Sequence, residues 1–230
     1  MKILHVGQMI GGLDIYIRNS IVYAESGYEY VIVHGDKDNN KPIEKYGREI
    51  KEYRIKLYRD LNLWNDLKAI VQTVRIIKKE RPDLIHCHSA KGGIVGRAAG
   101  FLTHTRTFYT PHAFSFLSAQ SVVKRNIFLF IECITKFNAR LLACSESEKI
   151  MGVNMVHYKK DRAFVWNNAV PDAINELKKN ETGQIYLLYR ETIISEESYF
   201  FSRSGERGSY FTSRGGILFI GSRLLFTRAG

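Results

Sequence analysis

The chain has 230 residues and a formal net charge of +11, with 34 Lys and Arg against 23 Asp and Glu. Its 45% apolar and 12% aromatic content suffices for a buried core, which excludes wholesale disorder, and the length allows one large domain or two small ones. No apolar run approaches the roughly 18 residues of a membrane span, and the basic balance points to an anionic partner: nucleotide, phosphate, lipid headgroup or nucleic acid.

From the start, Lys2–Val6 reads as a short strand and Leu13–Glu25 as a helix, with Leu13, Ile17, Ile21 and Ala24 at near-helical spacing. Gly27 stops that helix, Tyr28–His34 is a second strand, and Gly35–Pro42 a polar loop. Trp64–Lys79 is a strong helix with Leu67, Ile70, Val71, Val74 and Ile77 on one face, and Arg81-Pro82-Asp83 breaks it before the strand Leu84–His86. Gly92–Leu102 reads as a small-residue helix, Thr105–Thr110 as a strand and Ser121–Phe137 as a helix. Arg140–Cys144 is again a strand, Ser145–Met151 a helix opened by a Ser-x-x-Glu capping box at Ser145 and Glu148, and Ala163–Trp166 closes the series. Alternating strands and helices of this length imply βαβ units, so the predicted class is α/β, a Rossmann-like parallel sheet with helices on both faces. Ligands in such sheets sit at the carboxyl ends of the strands, so the loops after strands are where function is expected.

Three such loops carry chemistry. Gly7-Gln8-Met9-Ile10-Gly11-Gly12 lies between the first strand and helix, where glycines let backbone amides approach a phosphate at a helix amino end; a plain tight turn is the alternative. It is neither the G-x-G-x-x-G of nicotinamide sites nor a G-x-x-x-x-G-K-[ST] loop. His86-Cys87-His88 places two histidines on one face of a strand and Cys87 on the other. A metal needs a third ligand, and neither Asp nor Glu stands nearby, so cleft lining or packing is the better reading, with Lys91 beyond it. Thr110-Pro111-His112 puts a histidine just past a third strand end.

The helix from Val122 to Phe137 carries Lys124, Arg125 and Lys136 around Phe128, Phe130 and Ile134, and suits either an anionic membrane surface or a solvated face. No pattern of an RNA-recognition module is present, so no nucleic acid partner is expected. Met1–Val6 has no apolar signal region, and Cys87, Cys133 and Cys144 lack paired spacing. Both features predict a cytoplasmic protein with reduced thiols.

The composition changes toward the end. After Lys179 there is no further Lys, Asp, Val, Pro or His, and Arg203-Ser204-Gly205 is echoed by Ser213-Arg214-Gly215. The expected division is therefore a Rossmann-like domain over 1–176 and an irregular, poorly ordered tail over 177–230.

Taken in order, Met1–Val6 with the Gly11-Gly12 loop, Pro82–His88, Thr110-Pro111-His112, Ala143–Glu146 and Asn167–Asp172 resemble the amino-terminal half of glycosyltransferase family 4, a retaining class with the GT-B fold. The Thr-Pro-His-x-Phe-Ser form looks most like enzymes of bacterial capsule and exopolysaccharide assembly. The resemblance implies transfer of a sugar from a nucleotide-sugar to a glycan acceptor, often lipid-linked, with no metal and no cofactor beyond the nucleotide-sugar itself. It places Gly11 and Gly12 at the donor diphosphate and His112 at the donor sugar as the catalytic-site residue. His86, His88 and Lys91 would lie on the acceptor side, and peripheral contact with the cytoplasmic membrane face would follow. The family's second half, with a Gly-Arg…Lys pair and paired glutamates, is not found in the sequence, so the chain is expected to be inactive alone. A one-base shift across Arg190–Ser198 turns Glu191 and Glu196 into Lys or Arg whatever their codons and permits a Gly-Arg…Lys run, which suggests a frameshift between Glu176 and Arg190. Two other readings stand beside this one: a non-catalytic remnant that binds an acceptor or partner, and a nucleotide-sugar epimerase-like protein.

Overall fold

The computed structural model describes residues 1–58 and 62–166, with the backbone of 178–179 and 185–186. Two units divide the chain, Met1–Asn168 and Ala169–Gly230. The first begins with β1 (Lys2–Val6), α1 (Gly12–Val22) and β2 (Glu29–Gly35), followed by a small hairpin of β3 (Glu44–Lys45) and β4 (Arg48–Glu49) and by β5 (Lys51–Ile55). Then come α2 (Leu63–Glu80), β6 (Leu84–His88), α3 (Ser89–Leu102), β7 (Thr107–Thr110) and α4 (Val122–Thr135). The unit ends with β8 (Arg140–Ala143), α5 (Glu146–Asn154) and β9 (Ala163–Val165). In the second unit β10 (Lys178–Lys179) and β11 (Ile185–Tyr186) pair antiparallel. The expected boundary at 176, the Asn167–Asp172 segment and the frame-shifted stretch lie outside the described residues.

Seven strands form one sheet in the order β5-β2-β1-β6-β7-β8-β9, every pair parallel. A parallel sheet covered on both faces needs strands that are apolar on both sides, and the burial of β2 from Tyr30 through Gly35 is that pattern. One core packs Leu4, Val6, Val31, Val33, Ile85 and Cys87 against α2, α3 and their neighbours; a second, on the opposite face, packs Ile32 and Tyr30 against Ile17 and Ile21 of α1.

The predicted elements hold, with two differences. β5 and the β3–β4 hairpin fall between Pro42 and Trp64, where the sequence pattern predicts no element. β5 is an edge strand whose first four residues, Lys51-Glu52-Tyr53-Arg54, are half-buried or exposed, so it has no apolar signature. Second, α3 starts at Ser89, directly at the end of β6. Its glycines explain its closeness to the sheet: a Cβ on Gly92 would sit 2.6 Å from the Val6 carbonyl oxygen, and one on Gly96 would collide with the Cys87 sulfur.

α2 shows how local signals set the helix ends. The Asn62 side chain accepts from the Asn65 amide at the start. At the other end Arg81 takes a left-handed conformation (φ 49°) and its amide donates to Ile77, with Pro82 preventing continuation. Lys78 and Lys79 in the last turn suit the negative end of the helix dipole.

Candidate active site

The carboxyl ends of β1, β6, β7 and β8 are adjacent on one edge of the sheet, where β1, β7 and β8 release loops and β6 passes directly into α3. After β1, Gly11 turns the chain with φ 57° and ψ −135°, a backbone conformation closed to most side chains, and caps α1 without any side-chain hydrogen bond over its first amides. Gly11 and Gly12 are exposed, and a Cβ at either position would meet nothing within 4 Å. The loop is pinned from behind by Asp38, whose carboxylate accepts from the amides of Met9 and Gly35, each at 2.7 Å. Burial alone would raise the Asp38 pKa, but His34 and these two amides outweigh it and lower it.

β6 delivers His86 and His88 to one face. β1 pairs with it so that His5 stands beside His86. The rings cluster, with centroids 4.0 Å apart for His86 and His88 and 5.2 Å for His5 and His88. His5 Nδ1 lies 2.9 Å from His88 Nε2, and His86 Nε2 lies 2.8 Å from the Thr110 hydroxyl. His88 Nδ1 continues to His112 Nε2 at 3.3 Å, and His112 Nδ1 to Cys144 Sγ at 3.5 Å.

His112 and Ala113 both have positive φ, 53° and 76°. Two consecutive left-handed residues persist only where neighbours hold them, and here Glu148 does so. Its carboxylate accepts from the Ala113 amide at 2.8 Å and from the Cys144 amide at 2.7 Å, tying the loop after β7 to the loop after β8. The Ser145 hydroxyl accepts from the Glu148 amide, so the first half of the predicted capping box forms, while the carboxylate is directed to the neighbouring loops instead. Burial pushes the Glu148 pKa up against the two amides that lower it.

Burial holds His5 and His112 at pKa values of about 4. For His86 and His88, burial and then the neighbouring histidines push the values well below the ordinary range. All four imidazoles are therefore neutral at pH 7. Among the described residues, His5, His86 and His88 form one group whose candidate ligand atoms lie within 4.8 Å of one another, so the third histidine that the sequence reading did not find comes from β1.

Of the residues singled out from sequence, Gly11, Gly12, His86, His88 and His112 all fall on this edge. His88 is fully buried, His86 and His112 partly so. Lys91 is buried at the start of α3, and its ammonium is 2.7 Å and 2.8 Å from the two carboxylate oxygens of Asp66 in α2. Tyr16, one turn into α1, links the Gly11-Gly12 end to the histidines, its ring edge-on to His112 at 4.5 Å. His5, Tyr16, Cys144 and Glu148 were not found from sequence as site residues, although His5 occupies the strand face that period 2 shares with Ile3.

A model of Glycosyltransferase Family 4 matches residues 10–173, more than two thirds of the chain. A UDP-Gal:alpha-D-GlcNAc-diphosphoundecaprenol alpha-1,3-galactosyltransferase of Escherichia coli is 28% identical over 116 residues, 50% of this chain and 30% of that enzyme. The capsular polysaccharide biosynthesis glycosyltransferase CapM of Staphylococcus aureus is 29% identical over 132 residues, 56% of this chain and 34% of that protein. Each match thus spans about a third of the relative's length. The crystal structure of Anabaena Alr3699/HepE in complex with UDP and glucose is similar in fold, with a TM-score of 0.55 at 16% identity, covering 79% of this chain and 48% of that one. Sheet order, strand-end loops and family match agree, and the chain belongs to Glycosyltransferase Family 4.

Proposed function

We propose that residues 1–176 are the acceptor-side half of a retaining glycosyltransferase that moves a sugar from a nucleotide-sugar to a lipid-linked glycan in bacterial surface polysaccharide synthesis. The observation that carries this reading is the meeting of an open helix amino end with His112 at one edge of the sheet, through Tyr16. As the bond to the leaving diphosphate breaks, negative charge grows on it, and the amides at Gly11 and Gly12 with the α1 dipole offer fixed positive partial charge there. His112, neutral and partly exposed, contacts the donor sugar. His86 faces the acceptor, while His88 and Lys91 support the site from inside, Lys91 by fixing α2 to α3. The names of the two polysaccharide relatives, one of which takes UDP-Gal and a diphosphoundecaprenol-linked sugar, support a UDP-sugar donor and a lipid-linked acceptor.

The acceptor's lipid gives the second element of the proposal, contact with the cytoplasmic membrane face. No helix among the described residues is long and apolar enough to cross a membrane, but α4 exposes Val123, Ile127, Phe130 and Ile134 at helical spacing beside Lys124 and Arg125.

Reading the gene past the codon of Asn168 in all three frames, then assaying the chain with a donor-side half supplied, tests the function. UDP release from a UDP-sugar should require a polyprenyl-diphosphate-linked acceptor, and His112→Ala should lower it about 100-fold. The chain by itself should bind UDP more weakly than about 1 mM. Absence of sugar transfer by the chain with that half across a panel of UDP-sugars, or transfer indifferent to His112→Ala, would overturn the reading in favour of a binding remnant.

A further inference from the structure

His5, His88, His112 and Cys144 come from the ends of four neighbouring strands and are joined by three contacts in series, Nδ1 to Nε2 at 2.9 Å, Nδ1 to Nε2 at 3.3 Å and Nδ1 to Sγ at 3.5 Å. A neutral imidazole has one N–H donor and one bare acceptor nitrogen. In a row where each ring offers Nδ1 to the next ring's Nε2, the choice made at one ring dictates the choice at the others. Only two arrangements satisfy every link. In one, Cys144 S–H donates to His112 Nδ1, His112 Nε2–H to His88 Nδ1, and His88 Nε2–H to His5 Nδ1. In the other, His5 Nδ1–H donates to His88 Nε2, His88 Nδ1–H to His112 Nε2, and His112 Nδ1–H to Cys144 Sγ. Any mixture leaves two protons or two lone pairs facing each other in a buried site, where neither group has another partner to turn to.

We propose that His5, His88 and Cys144 are positioning residues that act as one row to fix the tautomer of His112, so that the three rings carry their protons on the same nitrogen and change together. The burial that keeps the rings neutral supports this, because a protonated ring would have no acceptor nitrogen to continue the row. Glu148 supports it from outside by holding the His112 and Cys144 loops together through their amides. The consequence concerns recognition. Both nitrogens of His112 are engaged, and the longer, weaker link is the one to sulfur, so a sugar hydroxyl would take the place of Cys144. That hydroxyl would meet a donor or an acceptor according to the state of the row. This consequence rests on the function proposed above; the shared tautomer itself rests on geometry alone.

The test needs no turnover. Long-range proton–nitrogen spectra of the full chain, labelled on its seven histidines, report which ring nitrogen is protonated. At about pH 7.5 His5, His88 and His112 should be neutral and protonated on the same nitrogen. Cys144→Ala should move the ring signals of all three, with His86, bonded to Thr110, changing least. Cys144→Ser, which keeps a donor and an acceptor at that place, should retain one shared tautomer and serves if the alanine variant does not fold. Mixed tautomers in the parent chain, or a response to Cys144→Ala confined to His112, would overturn the proposal. So would stoichiometric Zn2+ capture by His5, His86 and His88 that reorders the rings. None of these readouts depends on sugar transfer, so failure here and failure of the proposed function are distinguishable.

Discussion

Gly11 and Gly12 are neighbours with opposite requirements. Gly11 has φ 57° and ψ −135°, which a side chain adopts only with strain. Gly12 is the first residue of α1, with open space around its missing Cβ. Gly11→Ala should therefore destabilise the fold by about 1–3 kcal/mol, whereas Gly12→Ala should be neutral or stabilising by up to about 1 kcal/mol. Urea midpoints for the two variants check this, and equal effects would contradict the geometry. At this scale the sequence was informative wherever a residue's role follows from its own strand or helix. Period 2 put His86 and His88 on one face, and the Ser-x-x-Glu spacing found the start of α5. It was uninformative where partners arrive from distant segments. His5 joins the cluster only because β1 pairs with β6, and Glu148 turns to Cys144 and Ala113 only because the loops after β7 and β8 are adjacent.

Among the elements, α3 and α4 are opposites. α3 lies so close to the sheet that Gly92, Gly93, Gly96 and Gly100 have no room for a side chain, and this small-residue character was legible as composition, though not its reason. α4 turns Phe128, Leu129 and Cys133 half-buried against the core, and its one fully buried side chain is Glu132. Glu132 receives the fully buried Arg97 guanidinium at 3.0 Å and the Tyr109 hydroxyl at 2.9 Å, a network that ties α3, α4 and β7 together. Ile127, Phe130 and Ile134 lie on the opposite side of the helix and are exposed, and apolar residues on both faces leave the sequence pattern unable to say which stripe turns inward. The expected outcome is binding to anionic vesicles at low salt that fades as salt screens Lys124 and Arg125. Phe130→Asp should weaken it about tenfold or more through lost apolar insertion, and Lys124→Glu with Arg125→Glu should do so through about 1 kcal/mol per basic residue removed. Co-sedimentation measures both, and no binding of the parent chain to anionic vesicles at low salt would leave a solvated helix face as the better account.

Across the whole molecule, the row of neutral histidines makes stability depend on pH in a window of its own. Unfolded histidine takes up a proton near pH 6.5, whereas His5 and His112 resist it until about 4, and His86 and His88 resist it further. Between these limits the unfolded chain binds more protons, so stability is full above about pH 6.5 and falls as pH drops, by up to roughly 1.4 kcal/mol per unit for each histidine. The carboxylates separate from this effect. Glu80, held at about 2 by Lys51, Tyr53 and Lys2 in that order after allowing for burial, loses its contribution only below the ordinary carboxylate range near 4.5. Glu148, raised by burial, works in the opposite sense and gains as pH falls toward that range. Denaturant unfolding at pH 7.5, 6 and 5 should therefore show a steep loss before any lowered carboxylate titrates, and His112→Gln should flatten it by about one histidine's share. A curve level from pH 7 to 5 would mean that the four rings are not held neutral. Under the function proposed above, a site that keeps its imidazoles uncharged near neutral pH, beside a helix end open to an anion, would leave the diphosphate to backbone amides and the sugar to a neutral ring. Acid would disorder that arrangement by charging the row before it altered either group's partner.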